Sequence, residues 1–216
     1  VNPFWTQEEL GRMLKYGRLQ RFPKGQIIFS EGDHTNDVYY VDKGWINIYR
    51  MTQDGKRVSI ALRNHGDFIG ISEMFRSSPR DCFAEALEKV EIYAIGVDYL
   101  KVILKEYPEM LGKFLNLIAY RLHETHTTLL DFACNQAPRR MAITLLHIAE
   151  KSGIEENGKV VVSIKLTQEE LAAIIGSSRQ VVNGLLKTFR KEGCIEMQGR
   201  QIEVLHPEKL KIWLSV

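Results

Sequence analysis

The chain has little cysteine. Cys82, Cys134 and Cys194 are the only three in 216 residues. They are widely separated and odd in number, which excludes a disulfide framework and a CxxC-type metal site and points to a reducing cytoplasm. No apolar run approaches the roughly 18 residues that a membrane span requires, so no membrane partner is expected. The opening Val1-Asn2-Pro3-Phe4-Trp5 lacks the charged and apolar regions of a secretory leader. Because it begins without Met, a few residues are expected ahead of it. Charge of one sign is also lacking, since the net is only +2. Its distribution is uneven: residues 135–216 carry 12 Lys+Arg against 9 Asp+Glu, and residues 1–134 carry 17 against 18. A mildly basic C-terminal part suits a phosphate-facing surface. No GxxxxGK, GxSxG, HExxH or paired-carboxylate motif is present, so an enzyme is the weakest functional class.

What is present divides by periodicity. Thr6 stands three residues before Glu9 as a capping box, and Leu10, Met13 and Leu14 follow at helical spacing. From Phe22 to Val97 the period falls to two. Val58, Ile60 and Leu62 alternate with polar or small residues, as do Val90, Ile92 and Ala94. Gly44, Gly55 and Gly66 recur every 11 residues, and Asp54-Gly55 is a hairpin signal. Short strands punctuated this way predict an antiparallel roll or barrel. After Asp98 the helical period returns, with a short helix ending near Tyr107 and a long one starting at Pro108. Along the long helix Leu111, Leu115, Ile118, Leu122, Thr125, Leu129 and Phe132 alternate at spacings of four and three, a coiled-coil seam. Phe114, Leu117 and Tyr120 offer a second apolar face, so the helix is read as packing on its own domain and on a second subunit at once. A break at Cys134-Asn135-Gln136-Ala137 precedes a further helix. A strand is expected over Val160–Leu166 and a closing hairpin over Ile195–Leu205 around Gln198-Gly199.

Between them, Thr167 and Glu170 form a second capping box, and Gly176 separates two short helices. Such a pair forms a helix-turn-helix, whose second helix can enter the major groove of DNA and point its N-terminal side chains at base edges. Arg179 can fork onto guanine O6 and N7, and Gln180 can pair with the N6/N7 edge of adenine. Gln168, Ser178 and Lys187 can hold phosphates, and Asn183 and Arg139 complete the candidate DNA contacts. Leu171, Ile174, Val182, Leu185 and Leu186 would pack the two helices together. The bland alternative is a helical hairpin serving only dimerisation in a small-molecule-binding protein.

The run from Thr167 through Glu170-Leu171-Ala172, Ile175-Gly176 and Ser178-Arg179 to Val182 resembles the signature of the CRP/FNR family, named for the cyclic-AMP receptor protein. Gly25, Gly32, Val41, Gly44 and Gly66-Asp67-Phe68-Ile69-Gly70 are similar to that family's sensor roll, so the match runs from about Phe22 to Leu205. The resemblance implies an α+β chain in three parts. Residues 1–107 would form a cyclic-nucleotide-binding-like jelly roll with its N-terminal helix, 108–134 a dimerisation helix and hinge, and 135–216 a winged helix-turn-helix. It further implies a cytoplasmic homodimer that binds double-stranded DNA at an inverted-repeat operator, contacts RNA polymerase if it activates, and answers to a small-molecule effector or redox signal. Arg179 matches the arginine that reads the first guanine of a TGTGA half-site. Gln180 and Gly184 replace the residues that read the second G·C pair, so inverted TGT-containing half-sites without a fixed fourth base are expected.

In the sensor the match is incomplete. Cyclic-nucleotide members carry a Gly-Glu pair for the ribose and an Arg-Ser pair for the cyclic phosphate; here those positions read Gly70-Ile71 and Arg80-Asp81. Ile71 accepts no hydrogen bond and Asp81 adds an anion, so cyclic AMP is not expected to bind, and Glu73 lies two residues too late to be assumed a substitute. The iron–sulfur branch needs a cysteine where Tyr93 stands. The haem branch uses Cys and His near positions where this chain has Gly70 and Ser72. Neither cofactor is expected, and the effector stays unidentified. The candidate effector pocket is Gly70, Ile71, Ser72, Arg80, Asp81, Thr125 and His126. Thr125 either faces a ligand or fixes helix register. His123 and His126 share a helix face, yet no third ligand completes a metal site, so none is assigned. Cys82 reads as a buried thiol in preference to a redox sensor.

Overall fold

The computed structural model describes residues 4–134, 136–156, 159–162, 164–199 and 201–215. The chain divides into two compact units, one formed by Val1–Arg50 with Ile60–His126 and the other by Met51–Ser59 with Thr127–Val216.

In the first unit the Thr6 capping box starts α1 (Gln7–Leu14), whose Leu10 and Met13 are buried. Eight strands follow along the chain, with Met51 of β4 and the first three residues of β5 counted in the other unit: β1 (Arg18–Phe22), β2 (Ile27–Phe29), β3 (Asp37–Lys43), β4 (Ile46–Met51), β5 (Arg57–Arg63), β6 (Phe68–Ile69), β7 (Phe83–Ala86) and β8 (Val90–Gly96). The short α2 (Ile71–Arg76) interrupts them, and α3 (Val97–Glu106) follows. They make two sheets, in the orders β1-β8-β3-β6 and β2-β7-β4-β5. Side chains of alternate strand positions divide between two cores. Phe29, Val41, Ile46, Ile69, Ala84 and Ile92 belong to the core of the roll. Val38, Tyr40, Phe68 and Ile95 pack instead with residues of the helices, including Met13, Ile71, Met74 and Leu100. β5 reverses the expected sense of the alternation. Its Ser59 is buried while Val58 and Ile60 are exposed, so the polar residue and not the apolar pair faces inward there.

The long α4 (Pro108–Cys134) seats Met110, Phe114 and Leu117 in the helical core. Truncating a side chain such as Phe114 in such a place costs about 3–5 kcal/mol, so that face is fixed. The seam residues are turned elsewhere: Leu115, Ile118, Leu122 and Leu129 are exposed, Leu129 by 65%. Leu111 is half-buried against the helical core, and Tyr120 is exposed.

The second unit contains α5 (Ala137–Ser152), β9 (Gly153–Glu156), β10 (Lys159–Val162), α6 (Gln168–Ile175), α7 (Arg179–Lys191), β11 (Ile195–Gln198), β12 (Gln201–Val204) and α8 (Pro207–Ile212). Its sheet runs β11-β12-β10-β9, with Gln198 opposite Gln201 across the closing hairpin. β10 ends at Val162, short of the expected Leu166, because Ile164 and Leu166 leave the ladder to fill the core. Asn135, part of the expected break before α5, lies outside the described residues. Among the described residues no helix is long and apolar enough to cross a membrane.

Candidate nucleic-acid interface and sensor pocket

Local chemistry fixes the two helices α6 and α7. Thr167 accepts from the Glu170 amide while the Glu170 carboxylate accepts from the Thr167 amide, closing the capping box of α6. Gly176 then ends that helix at φ 59°, a left-handed conformation that favours glycine. A Cβ there would stand 2.2 Å from the Phe132 ring. Ser178 caps α7 by accepting from the Val181 amide at 3.2 Å. Val182, Leu186 and Phe189, at spacings of four and three, are buried and orient α7; Leu171 and Ile175 are buried on α6. Ile174 and Leu185, expected in that contact, are only half-buried.

The opposite face of α7 brings most of the expected DNA contacts together. Arg179, Gln180 and Lys187 are exposed, Asn183 is half-buried, and Gly184 leaves open space between them. Gln168 joins them from α6, its Oε1 standing 3.5 Å from Arg179 Nε. Arg179 is also held by a residue that sequence reasoning missed: its Nη1 is 2.9 Å from Glu169 Oε1. Arg139 is not in this group. It donates to the Leu214 carbonyl and faces Asp131 at 3.8 Å, which ties it to the body of its own unit. The neighbouring Arg140 was also missed. Its Nε donates to the Ile175 carbonyl at 2.8 Å, its Nη2 reaches the Gly176 carbonyl, and its guanidinium lies 4.9 Å from the centre of the Phe132 ring. An arginine there satisfies the free carbonyls at the end of α6. Phe132, read as a seam residue, is thus engaged with the turn of the helix-turn-helix.

In the roll, Gly70 takes φ 76° at the start of α2 and lies so close to Arg80 that a Cβ would stand 2.2 Å from Nη1. Arg80 is buried. Its Nη1 donates to the Gly70 carbonyl at 3.1 Å and approaches Glu73 Oε2 at 3.3 Å, its Nη2 donates to the Asp37 carbonyl, and its guanidinium lies over the Phe29 ring at 4.4 Å. The other expected pocket residues do not converge on it. Ile71 is buried in the helical core, Ser72 is exposed, and Asp81 pairs with Arg76 at 3.1 Å. Thr125 donates its hydroxyl to the Arg121 carbonyl of its own helix, and His126 is exposed. Burial pushes the Glu73 carboxyl above the usual carboxylate range, against the pull of the Arg80 guanidinium. A second, half-buried polar group surrounds Arg121, which donates to the Phe68 carbonyl and reaches Asp67 at 3.5 Å, while Arg63 pairs with Glu124 at 3.3 Å. Burial first and the nearby Arg63 second lower Arg121 to about 10.

Glu73, Asp81 and Cys82 place ligand-type atoms within 4.8 Å of one another. Arg80 and Arg76 already neutralise the two carboxylates, so the donor set does not call for a cation. The Cys82 thiol, pushed up to about 12 by burial and by Glu73 and Asp81, stays protonated at neutral pH. A cavity of about 430 Å³ lies beside α2, lined by residues that include His34, Thr35, Glu73, Ser78 and Lys101.

Comparison with known proteins adds an independent finding. The family profile of the cyclic nucleotide-binding domain matches residues 19–107, and that of the Crp-like helix-turn-helix domain matches residues 139–213. A CRP-like cAMP-activated global transcriptional regulator of Mycobacterium tuberculosis is 31% identical over 189 residues, covering 88% of this chain and 84% of that protein. The cAMP-activated global transcriptional regulator CRP of Escherichia coli O157:H7 is 25% identical over 200 residues, 92% of this chain and 95% of that one. Among solved structures, a CRP/FNR-family transcriptional regulator of Thermus thermophilus is 26% identical with a TM-score of 0.76, covering 92% of this chain and 99% of its own.

Proposed function

The chain belongs to the CRP/FNR family of DNA-binding transcription regulators, which are not enzymes, and from that premise we propose that it acts as a homodimer on an inverted-repeat operator under the control of an effector other than cyclic AMP. The observation that carries the reading is the polarity of α7. Its apolar side is anchored by Val182, Leu186 and Phe189, and its other side presents Arg179, Gln180, Asn183 and Lys187 in the first three turns. Two such helices, related by a twofold axis, meet half-sites about one helical turn apart. The exposed leucines of α4 supply the twofold contact, and residues 108–134 serve as the dimerisation segment. RNA polymerase is a partner if the regulator activates, and the protein works in the cytoplasm.

Arg179 reads the guanine of a TGT half-site, and the fourth base is free because Gln180 offers no carboxylate for cytosine and Gly184 no side chain. The Mycobacterium tuberculosis and Escherichia coli regulators named above are cAMP-activated. Against the same activation here stand Ile71, buried where a ribose acceptor is needed, and the buried partnership of Arg80. Neither haem nor an iron–sulfur cluster is assigned. Selection from a random DNA pool, repeated with Arg179→Ala, tests the operator. The wild type should enrich inverted TGT half-sites, and the variant should lose about 1–3 kcal/mol and selectivity at the guanine. Recovery of TGTGA as the preferred half-site contradicts the roles of Gln180 and Gly184.

A further inference from the structure

Among the described residues, Arg80 is the one buried Lys or Arg, and its side chain is 1% exposed. A buried guanidinium without an anion is not tolerated, and in a phosphate-binding roll the ligand provides that anion. Here the protein provides it. Glu73, itself 5% exposed, stands 3.3 Å from Nη1, and the carbonyls of Gly70 and Asp37 take the donors on either side. The faces of Phe29 and Tyr39 cover the guanidinium at 4.4 and 5.6 Å. The geometry is built in rather than incidental. Gly70 permits the close approach by having no Cβ, and Ile71 and Met74, buried in the helical core, hold α2 so that Glu73 faces Arg80.

We propose that Glu73 is the specificity-determining residue of the roll: an internal counter-ion that occupies the anion position on Arg80 and so excludes cyclic nucleotides and other phosphate-bearing ligands. This rests on the reading of the roll as the effector domain. A phosphate reaching Arg80 must displace a carboxylate that, among the described residues, pairs with no other cation, and leave that charge buried and unpaired. The second carboxylate, Asp81, adds to the exclusion, although Arg76 compensates its own charge at 3.1 Å. The effector that does bind is therefore one that does not need Arg80.

The test uses the full chain and two probes, inorganic phosphate and cyclic AMP. Thermal unfolding of the wild type and of a Glu73→Ala/Asp81→Ser variant is followed in sodium phosphate against sodium chloride at matched ionic strength. Phosphate stabilises most proteins by exclusion from their surface, so the reading is the excess shift of the variant over the wild type. The variant should start with a lower midpoint and recover it in millimolar phosphate well beyond the wild-type shift, and calorimetry should detect no cyclic AMP binding to the wild type. If the variant does not fold in chloride, refolding in phosphate gives the same reading: recovery in phosphate alone supports the proposal, and equal failure in both salts overturns it. An equal phosphate shift in variant and wild type, or micromolar cyclic AMP binding to the wild type, also overturns it. A wild type that takes up cyclic AMP yet selects the TGT operator overturns this inference, and with it the exclusion of cyclic AMP as effector, but leaves the DNA-binding reading standing, whereas a wild type that binds no DNA overturns the functional reading beneath it.

Discussion

At the residue scale, Arg179, the proposed reader of the operator guanine, is held by a carboxylate before any DNA arrives. Arg179 and Glu169 are 67% and 62% exposed, and an ion pair so open to water is worth at most about 1 kcal/mol. That is too little to keep Arg179 from a guanine, where a bidentate contact is worth about 1–3 kcal/mol. Glu169 still exacts a cost, since its charge must approach the phosphates once Arg179 leaves it. Glu169→Gln should therefore tighten operator binding by about fivefold per half-site at most, the equivalent of the pair energy, with the gain shrinking as salt rises. Fluorescence anisotropy across a salt series checks this. Unchanged or weaker binding at low salt means that Glu169 positions Arg179 instead of restraining it.

At the scale of elements, the turn between α6 and α7 joins three features: the left-handed Gly176, the Phe132 ring beside it, and Arg140 donating to the Ile175 carbonyl. Gly176→Ala forces a Cβ into both the unfavourable backbone region and the ring. It should cost about 1–3 kcal/mol in chemical unfolding and weaken DNA binding through a displaced α7. A variant as stable as the wild type means that the ring moves aside freely. Of these parts the sequence disclosed those with local signatures. The capping boxes at Thr6 and Thr167, the Ser178 cap and the glycine turn depend on neighbours within a few residues, and so do the start of α4 and the closing hairpin. Contacts made at a distance left no such trace. Arg139 and Arg140 are adjacent in sequence and equivalent as letters, yet one binds Leu214 and the other caps α6. By spacing Glu73 lies two residues too late to be assumed a ribose acceptor, and its pairing with Arg80 depends on how α2 packs. On β5 the alternation holds but Ser59, not Val58 or Ile60, takes the buried face, which alternation alone does not encode.

At the scale of the whole molecule, the unresolved energy lies in α4. Leu115, Leu122 and Leu129 are each more than half exposed in the single chain, on a helix whose other side is fixed by Met110, Phe114 and Leu117. Burying such a leucine against a partner is worth about 1.5–3 kcal/mol, so a seam of this length is sufficient to drive association. The net charge of +2 opposes it little. Under the proposed function, dimerisation also turns one weakly basic helix-turn-helix unit into a specific binder, because two half-sites would be met at once. Sedimentation of the protein alone and with a duplex carrying inverted TGT half-sites, compared with Leu122→Glu, tests that claim most directly. The wild type should be a dimer at micromolar concentration and bind as two chains per duplex, while Leu122→Glu should sediment as a folded monomer and lose operator affinity by at least about a hundredfold. A wild type that stays monomeric and binds one chain per duplex, or a Leu122→Glu protein that remains a dimer, contradicts the account.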